Sequence, residues 1–338
     1  MRTIILKISS QSRFHFGKQS IDNKTGLSDT SIIMHSDALF STLINNVAKY
    51  CKNKADTLVT LFREKKILIS SVYYCLSNSE INIFFLPKPV NANNLLSPEV
   101  DYHKIKDVKK IRFLSKRVLE EYGERWVDNI DKLKRIGNCL ILEDEYEKIE
   151  TIDNIVYYNM VTHINSRPFD GESQNELFQT AFIQTPLHDN NWKTNFYFLV
   201  DDSKLNNDER KLLEFSVNLI RFEGVGGKRN VGYGYVGEVD LNPNIPFKWT
   251  PKKTHANKLT LGLTIPDSLE EFKKFYAYDI ISRGGRKIDS NRALKSVNML
   301  NEGSLLNNTD INLGKIEDIS VNNDNSYLRL GTCLTLEM

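Results

Sequence analysis

Residues 205–241 constrain this chain most, because they read as a helix, a glycine-rich loop and a strand, in that order. Leu212, Leu213, Phe215, Ser216, Leu219 and Ile220 fit one buried helical face over about 205–222. Gly224-Val225-Gly226-Gly227-Lys228-Arg229-Asn230-Val231-Gly232-Tyr233-Gly234 follows, and a strand runs from Tyr235 to Leu241. A P-loop or a dinucleotide fingerprint has the reverse order, strand then helix, so that amides at the helix start face phosphate. Lys228 is also followed by Arg229, where a Walker pattern needs Ser or Thr. Both facts argue against ATP or NAD as the ligand. Glycines let a second backbone come close. Successive amides beside Lys228 and Arg229 form a phosphate-binding concavity, or the loop is only a mobile connector.

The chain opens with a strand at 3–8 and a polar stretch at 9–36 holding Arg13-Phe14-His15-Phe16-Gly17. A helix follows, which Ser36 or Asp37 can cap and whose apolar positions are Leu39, Phe40, Leu43, Ile44 and Val47. Residues 67–75 and 81–86 read as two strands about a turn at Ser77-Asn78-Ser79, the second stopped by Pro87 and Pro89. Residues 90–150 read as an insertion, with a basic run from Lys104 to Arg117 that either tracks a nucleic-acid backbone or is a solvated face. Strands are expected at 155–163, 177–184 and 195–200. After a proline-bearing linker at 242–257 come strands at 258–265, 276–282, near 297–306 and near 327–336, with a short helix at 267–275. Arg283-Gly284-Gly285-Arg286 is a second glycine turn.

A length of 338 residues suits two domains. Hydrophobic residues at 40% and charged residues at 26% describe a folded, soluble chain. The net charge is only +2, so nucleic-acid binding would need local patches. Cys51, Cys75, Cys139 and Cys333 lie far apart, without the pairs of a zinc site or a disulfide framework. They read as buried thiols of a cytoplasmic protein, and no apolar run approaches the roughly 20 residues of a membrane helix.

Several blocks in order resemble the RAMP superfamily of CRISPR proteins. They are Phe14-His15-Phe16-Gly17, His35-Ser36-Asp37-Ala38-Leu39-Phe40, Leu86-Pro87-Lys88-Pro89, Thr162-His163-Ile164-Asn165-Ser166-Arg167, Glu176-Leu177-Phe178, the glycine loop, Arg283-Gly284-Gly285 and Met299-Leu300-Asn301-Glu302-Gly303-Ser304. Within that superfamily the pattern is similar to the fourth Csm subunit of type III-A complexes. Two departures fall near the end: Arg286 stands where an aromatic is usual, and a usual His-Pro pair is absent before Tyr327.

The resemblance implies an α+β chain of two ferredoxin-like (RRM-like) folds with long insertions. The first would span 1–245, with an insertion at about 91–194, and the second, smaller one 251–338; a boundary near 155 is an alternative. It implies a non-catalytic subunit with no cofactor and no metal. That subunit would hold the 5′ repeat-derived tag of crRNA and link the large polymerase/cyclase subunit to a backbone RAMP subunit, away from any membrane. The expected RNA contacts are Phe14, His15, Phe16, Gly17, His35, Ser36, His163, Arg167, Gly226, Gly227, Lys228, Arg229, Asn230, Tyr233 and Arg283.

Single residues leave alternatives. His35 is an RNA-positioning or structural side chain, or the general base of a metal-independent endoribonuclease that processes precursor crRNA. Asp37 is a helix-start residue favoured by the dipole, or a metal-binding nuclease carboxylate. Phe14, Phe16 and Tyr233 either stack on unpaired bases or fill the core. His163 and Arg167 contact phosphate or base edges, or make surface ion pairs.

Overall fold

The computed structural model describes residues 1–18, 27–93, 102–165, 176–189, 191–252, 257–285, 293–307, 313–321 and 327–338. The first half runs β1 (Arg2–Lys7), β2 (Arg13–Phe14), α1 (Ser36–Ala48), α2 (Lys52–Arg63), β3 (Leu68–Ile69), β4 (Tyr73–Ser77), β5 (Asn82–Pro87), α3 (Tyr102–Lys110), β6 (Phe113–Ser115), α4 (Lys116–Tyr122), β7 (Leu133–Ile136), β8 (Cys139–Leu142) and α5 (Glu143–Tyr146). Then come β9 (Tyr157–Asn165), β10 (Glu176–Gln184), β11 (Lys193–Asp201), α6 (Asn207–Asn218), α7 (Ile220–Glu223) and β12 (Glu238–Asp240). The remainder holds β13 (Asn257–Thr260), α8 (Leu269–Phe272), β14 (Phe275–Ala277), β15 (Ile280–Arg283), β16 (Val297–Leu300), β17 (Leu305–Asn307), β18 (Ile316–Asp318), β19 (Leu328–Leu330) and β20 (Thr335–Glu337).

The main sheet runs β12-β1-β11-β4-β5-β6-β8-β7. Its first four strands stand, by chain position, in the order fourth, first, third, second. With α1 after β1 and α6 after β11, that is a ferredoxin-like fold. The smaller sheet, β14-β17-β13-β20, repeats the order read from its other edge. Its only helix among the described residues is the single turn α8, placed between its first and second strands. The chain is therefore α+β with two ferredoxin-like folds. One apolar cluster joins Ile4, Leu43, Phe198 and Leu213 of the larger fold to Leu259, Leu305 and Leu336 of the smaller.

Several expectations change. The described residues 102–150 are packed onto the fold: β6, β8 and β7 extend the main sheet, and Phe113, Trp126 and Ile141 enter the common core. The described part of the linker, 242–252, is packed down, with Phe247 buried against Phe84 and stacked on Trp249. Pro87 does not stand beyond β5 but takes its last place, opposite Phe113. Helix α2 was not among the expected elements, although the spacing of Ala55, Leu58 and Phe62 marks its buried face. Phe215 is exposed rather than on the buried face of α6, which is set by Leu213, Ser216 and Val217. No described helix is long and apolar enough to cross a membrane. Cys75, Cys139 and Cys333 are buried thiols, whereas Cys51 is only half-buried. Burial pushes the Cys75 thiol up to about 12.

Candidate nucleic-acid interface

The glycine loop is mounted on a strap made of Arg13 to Gly17. One side of the strap pairs with β10, placing Phe14 opposite Ile183 and Arg13 opposite Gln184. Its other side carries the loop: the Gly227 amide donates to the His15 carbonyl at 2.8 Å, and the Gly234 amide to the Arg13 carbonyl at 2.7 Å. Close approach explains two of the glycines. Gly226 has φ +79°, and a Cβ there would lie 2.6 Å from the His15 carbonyl oxygen. Gly234 has φ +80°, and a Cβ there would run into the Val225 carbonyl.

At the loop's tip the chain turns through Lys228, which adopts φ +60°, a left-handed conformation uncommon outside glycine. A short turn at Arg229–Val231 follows, closed by the Val231 amide on the Lys228 carbonyl at 3.1 Å. The amides of Lys228, Arg229 and Asn230 have no acceptor among the described residues. The Gly227 amide, expected to be free, is instead committed to the strap. Arg229 and Asn230 are exposed, and Arg229 Nη1 donates to the Glu223 carbonyl at 3.1 Å.

Beside the tip stands the β9–β10 ribbon, which exposes Tyr158, Met160, Ile164, Leu177 and Phe178. His163 pairs with Phe178 across the ribbon, and their rings stack at 4.9 Å. The Lys228 ammonium lies 5.6 Å from the centroid of the Phe178 ring. Further in, the Arg13 guanidinium lies 4.9 Å from the centroid of the Phe182 ring, which meets Tyr233 edge-on at 5.8 Å. Loop and ribbon thus form one surface of cations, amides and aromatic rings, a combination suited to phosphate and unpaired bases.

Several other expected contacts are buried. Phe14 is 0% exposed and packs edge-on against Phe196 at 4.8 Å, and Phe16 is buried beside it. Stacking on bases is closed to both rings; they anchor the strap. His15 is buried, with Nδ1 donating to the Ala181 carbonyl at 2.8 Å. Tyr233 is buried against Phe182. Gly17 lies at the end of the strap, bridged to Thr30. Arg167 lies outside the described residues, as does Arg286. In the basic run, Arg117 pairs with Asp144, Lys116 with Glu120 and Lys110 with Asp107. Much of that stretch's charge is therefore already answered.

The start of α1 is an anchor between the two folds. His35 occupies the cap position without a side-chain capping bond, and Ser36 is the first helical residue. The Ser36 hydroxyl accepts from the Leu263 amide at 3.0 Å. His35 is 7% exposed, with Nδ1 2.8 Å from Glu302 Oε1 and Nε2 3.2 Å from the Ser31 hydroxyl. Burial would raise the Glu302 carboxyl, but His35 and the Ser71 hydroxyl outweigh it and hold the group below its ordinary value. Asp37 is gripped by Arg283, with Nε and Nη2 each at 3.0 Å, and by Arg329. Burial works against its charge, yet the two guanidinium groups hold it down at about 2. A carboxylate occupied in this way is not open to a metal. Arg283, expected on RNA, is buried, and its remaining Nη1 donates to the Gly17 carbonyl at 3.2 Å. Glu302, Ser71 and Arg329 are partners that sequence reasoning did not find; only Arg329, between Leu328 and Leu330, carries a signal, a charge set among apolar neighbours.

No family model matches the chain. It is 29% identical to the CRISPR system Cms protein Csm4 of Methanocaldococcus jannaschii, over 96% of this chain and 90% of that protein. It is 24% identical to the Csm4 protein of Streptococcus thermophilus, over 80% of this chain and 76% of that one. Among solved structures, a chain of the Csm3-Csm4 subcomplex of a type III-A CRISPR-Cas interference complex matches 100% of this chain and 99% of its own length, with TM-score 0.67 and 21% identity. A chain of a Csm1-Csm4 cassette in complex with pppApA matches 100% and 98%, with TM-score 0.59 and 15% identity. The two ferredoxin-like folds of this chain are the fold of that Csm3-Csm4 subcomplex chain. In sequence and in fold the chain is similar to Csm4 proteins of type III-A complexes.

Proposed function

We propose that this chain holds the 5′ repeat-derived tag of a crRNA and links the large polymerase/cyclase subunit to a backbone subunit of a type III-A effector. The observation that carries the reading is the loop tip. Three amides without acceptors among the described residues adjoin Lys228 and Arg229, and the Phe178 ring stands at the edge. The partners follow from the company that similar folds keep in the Csm3-Csm4 and Csm1-Csm4 assemblies. In this reading residues 1–245 grip RNA and residues 251–338 form the second, smaller unit.

The subunit works by binding, without chemistry of its own. The rival, a metal-independent endoribonuclease, needs an imidazole nitrogen open to a ribose hydroxyl. Both ring nitrogens of His35 already have partners inside the protein.

The test is an RNA titration at several salt concentrations. Replacing Lys228 and Arg229 with Ala should weaken binding and lower the salt slope by roughly 0.7 for each phosphate no longer held. An unchanged slope removes the loop as the RNA site. Cross-links from position 228 or 230 should map to the first nucleotides of the crRNA; cross-links confined to its middle or 3′ end overturn the tag assignment.

A further inference from the structure

We infer that Arg283, on the smaller fold, is a positioning residue for the phosphate-binding loop of the larger one. The inference rests on the loop being the RNA site and extends it to a residue that touches no RNA.

The geometry is a chain of four links. Arg283 Nε and Nη2 seize the Asp37 carboxylate at the start of α1, each at 3.0 Å. The same planar group turns Nη1 to the Gly17 carbonyl at 3.2 Å. Gly17 ends the strap, and the strap's carbonyls at His15 and Arg13 hold the Gly227 and Gly234 amides. Those two amides flank the tip that carries Lys228 and Arg229. Arg329 braces the far side, with Nη1 on Asp37 and Nη2 donating to the Gly284 carbonyl at 2.9 Å. Only a rigid guanidinium fork can serve a carboxylate with two N–H groups and a carbonyl with a third. The ammonium of Lys is a single point and cannot hold both in that plane.

The inference differs from a purely structural role, because Arg283→Lys keeps the charge beside Asp37 and gives up the tie to Gly17. Three readouts on the full chain separate the two. The Arg283→Lys protein should bind a single-stranded tag RNA about tenfold more weakly, the effect of losing one charge-assisted hydrogen bond, here the tie to Gly17. Its salt slope should fall by roughly 0.7 per phosphate released. In hydrogen exchange, the Gly227 and Gly234 amides should open while the amides of α1 stay protected.

A cycle with Lys228→Ala/Arg229→Ala locates the effect. If Arg283 acts through the loop, the tenfold weakening disappears in the loop variant. Equal weakening in both backgrounds would show that Arg283 acts elsewhere and would overturn the inference, as would unchanged binding with a lowered melting temperature. If the loop variant itself binds normally, the loop reading fails, and the exchange of Gly227 and Gly234 still decides whether Arg283 positions the loop. Should Arg283→Lys fail to fold, Arg283→Gln, which can still donate to Asp37 and also loses the tie to Gly17, supplies the same three readouts.

Discussion

His35 Nδ1 lies 2.8 Å from Glu302 Oε1, and the Ser71 hydroxyl donates to that same oxygen, so one buried acid ties together three distant segments. Exchanging Glu302 for Gln keeps the shape and removes the charge that His35 faces. The expected cost is about 3 kcal/mol, the lower end for breaking a buried pair. Urea unfolding measures it, and a change within about 0.5 kcal/mol would show that the pair adds nothing to stability.

Asp37 gives an acid-dependent contribution of definite sign. Its folded value of about 2 lies below the ordinary 3.8, so the native state keeps its charge where the unfolded chain has taken up a proton. Stabilisation of about 2 kcal/mol is therefore present above pH ~4 and lost as pH falls through ~2. Urea midpoints of the wild type and of Asp37→Asn should converge across that window. A gap that stays constant down to the lowest pH would contradict the assignment.

Gly226→Ala puts a methyl group 2.6 Å from the His15 carbonyl, in a backbone conformation that disfavours a side chain. Local strain of about 1–3 kcal/mol is expected, relieved by lifting the loop from the strap. Calorimetry should register a lowered melting temperature and RNA titration a weaker complex. Normal behaviour in both would mean that the contact is dispensable.

Phe14→Ala separates core packing from base stacking. Removing a fully buried ring costs about 3–5 kcal/mol. Phe14 meets Phe196 and not solvent, so any loss of RNA affinity should come together with a lowered melting temperature. A large drop in affinity in protein that melts normally would restore the ring to the RNA surface.

For His35, incubation of the full chain with repeat RNA and a chelator is the decisive assay. No cleavage is expected. Cleavage that His35→Ala abolishes would make the protein an endoribonuclease.

How much of this was legible depended on how local the chemistry was. The glycine loop could be read because tight backbone contact leaves its mark in residue type, and the Phe14–Gly17 motif proved to be its mount. The aromatic residues of that motif stayed open between core and RNA because alternation does not reveal what covers each face; β10 and β11 do so from distant parts of the chain. Asp37 looked like a helix-start acid because its partners, Arg283 and Arg329, lie 246 and 292 residues along the chain. The extension of the main sheet by β6, β7 and β8 escaped notice because a basic surface run concealed short strands whose burial only pairing reveals.

The place of β1 between β11 and β12 has a consequence for synthesis. Its neighbours are residues 193–201 and 238–240, so β1 must wait for partners encoded much later. At 5–20 residues per second, that interval is roughly 10–40 s. Throughout it Ile4, Ile5 and Leu6 have no native sheet to enter. The growing chain therefore carries an unpaired apolar strand through that interval, and the yield of folded protein should depend on how well β1 is shielded more than on final stability.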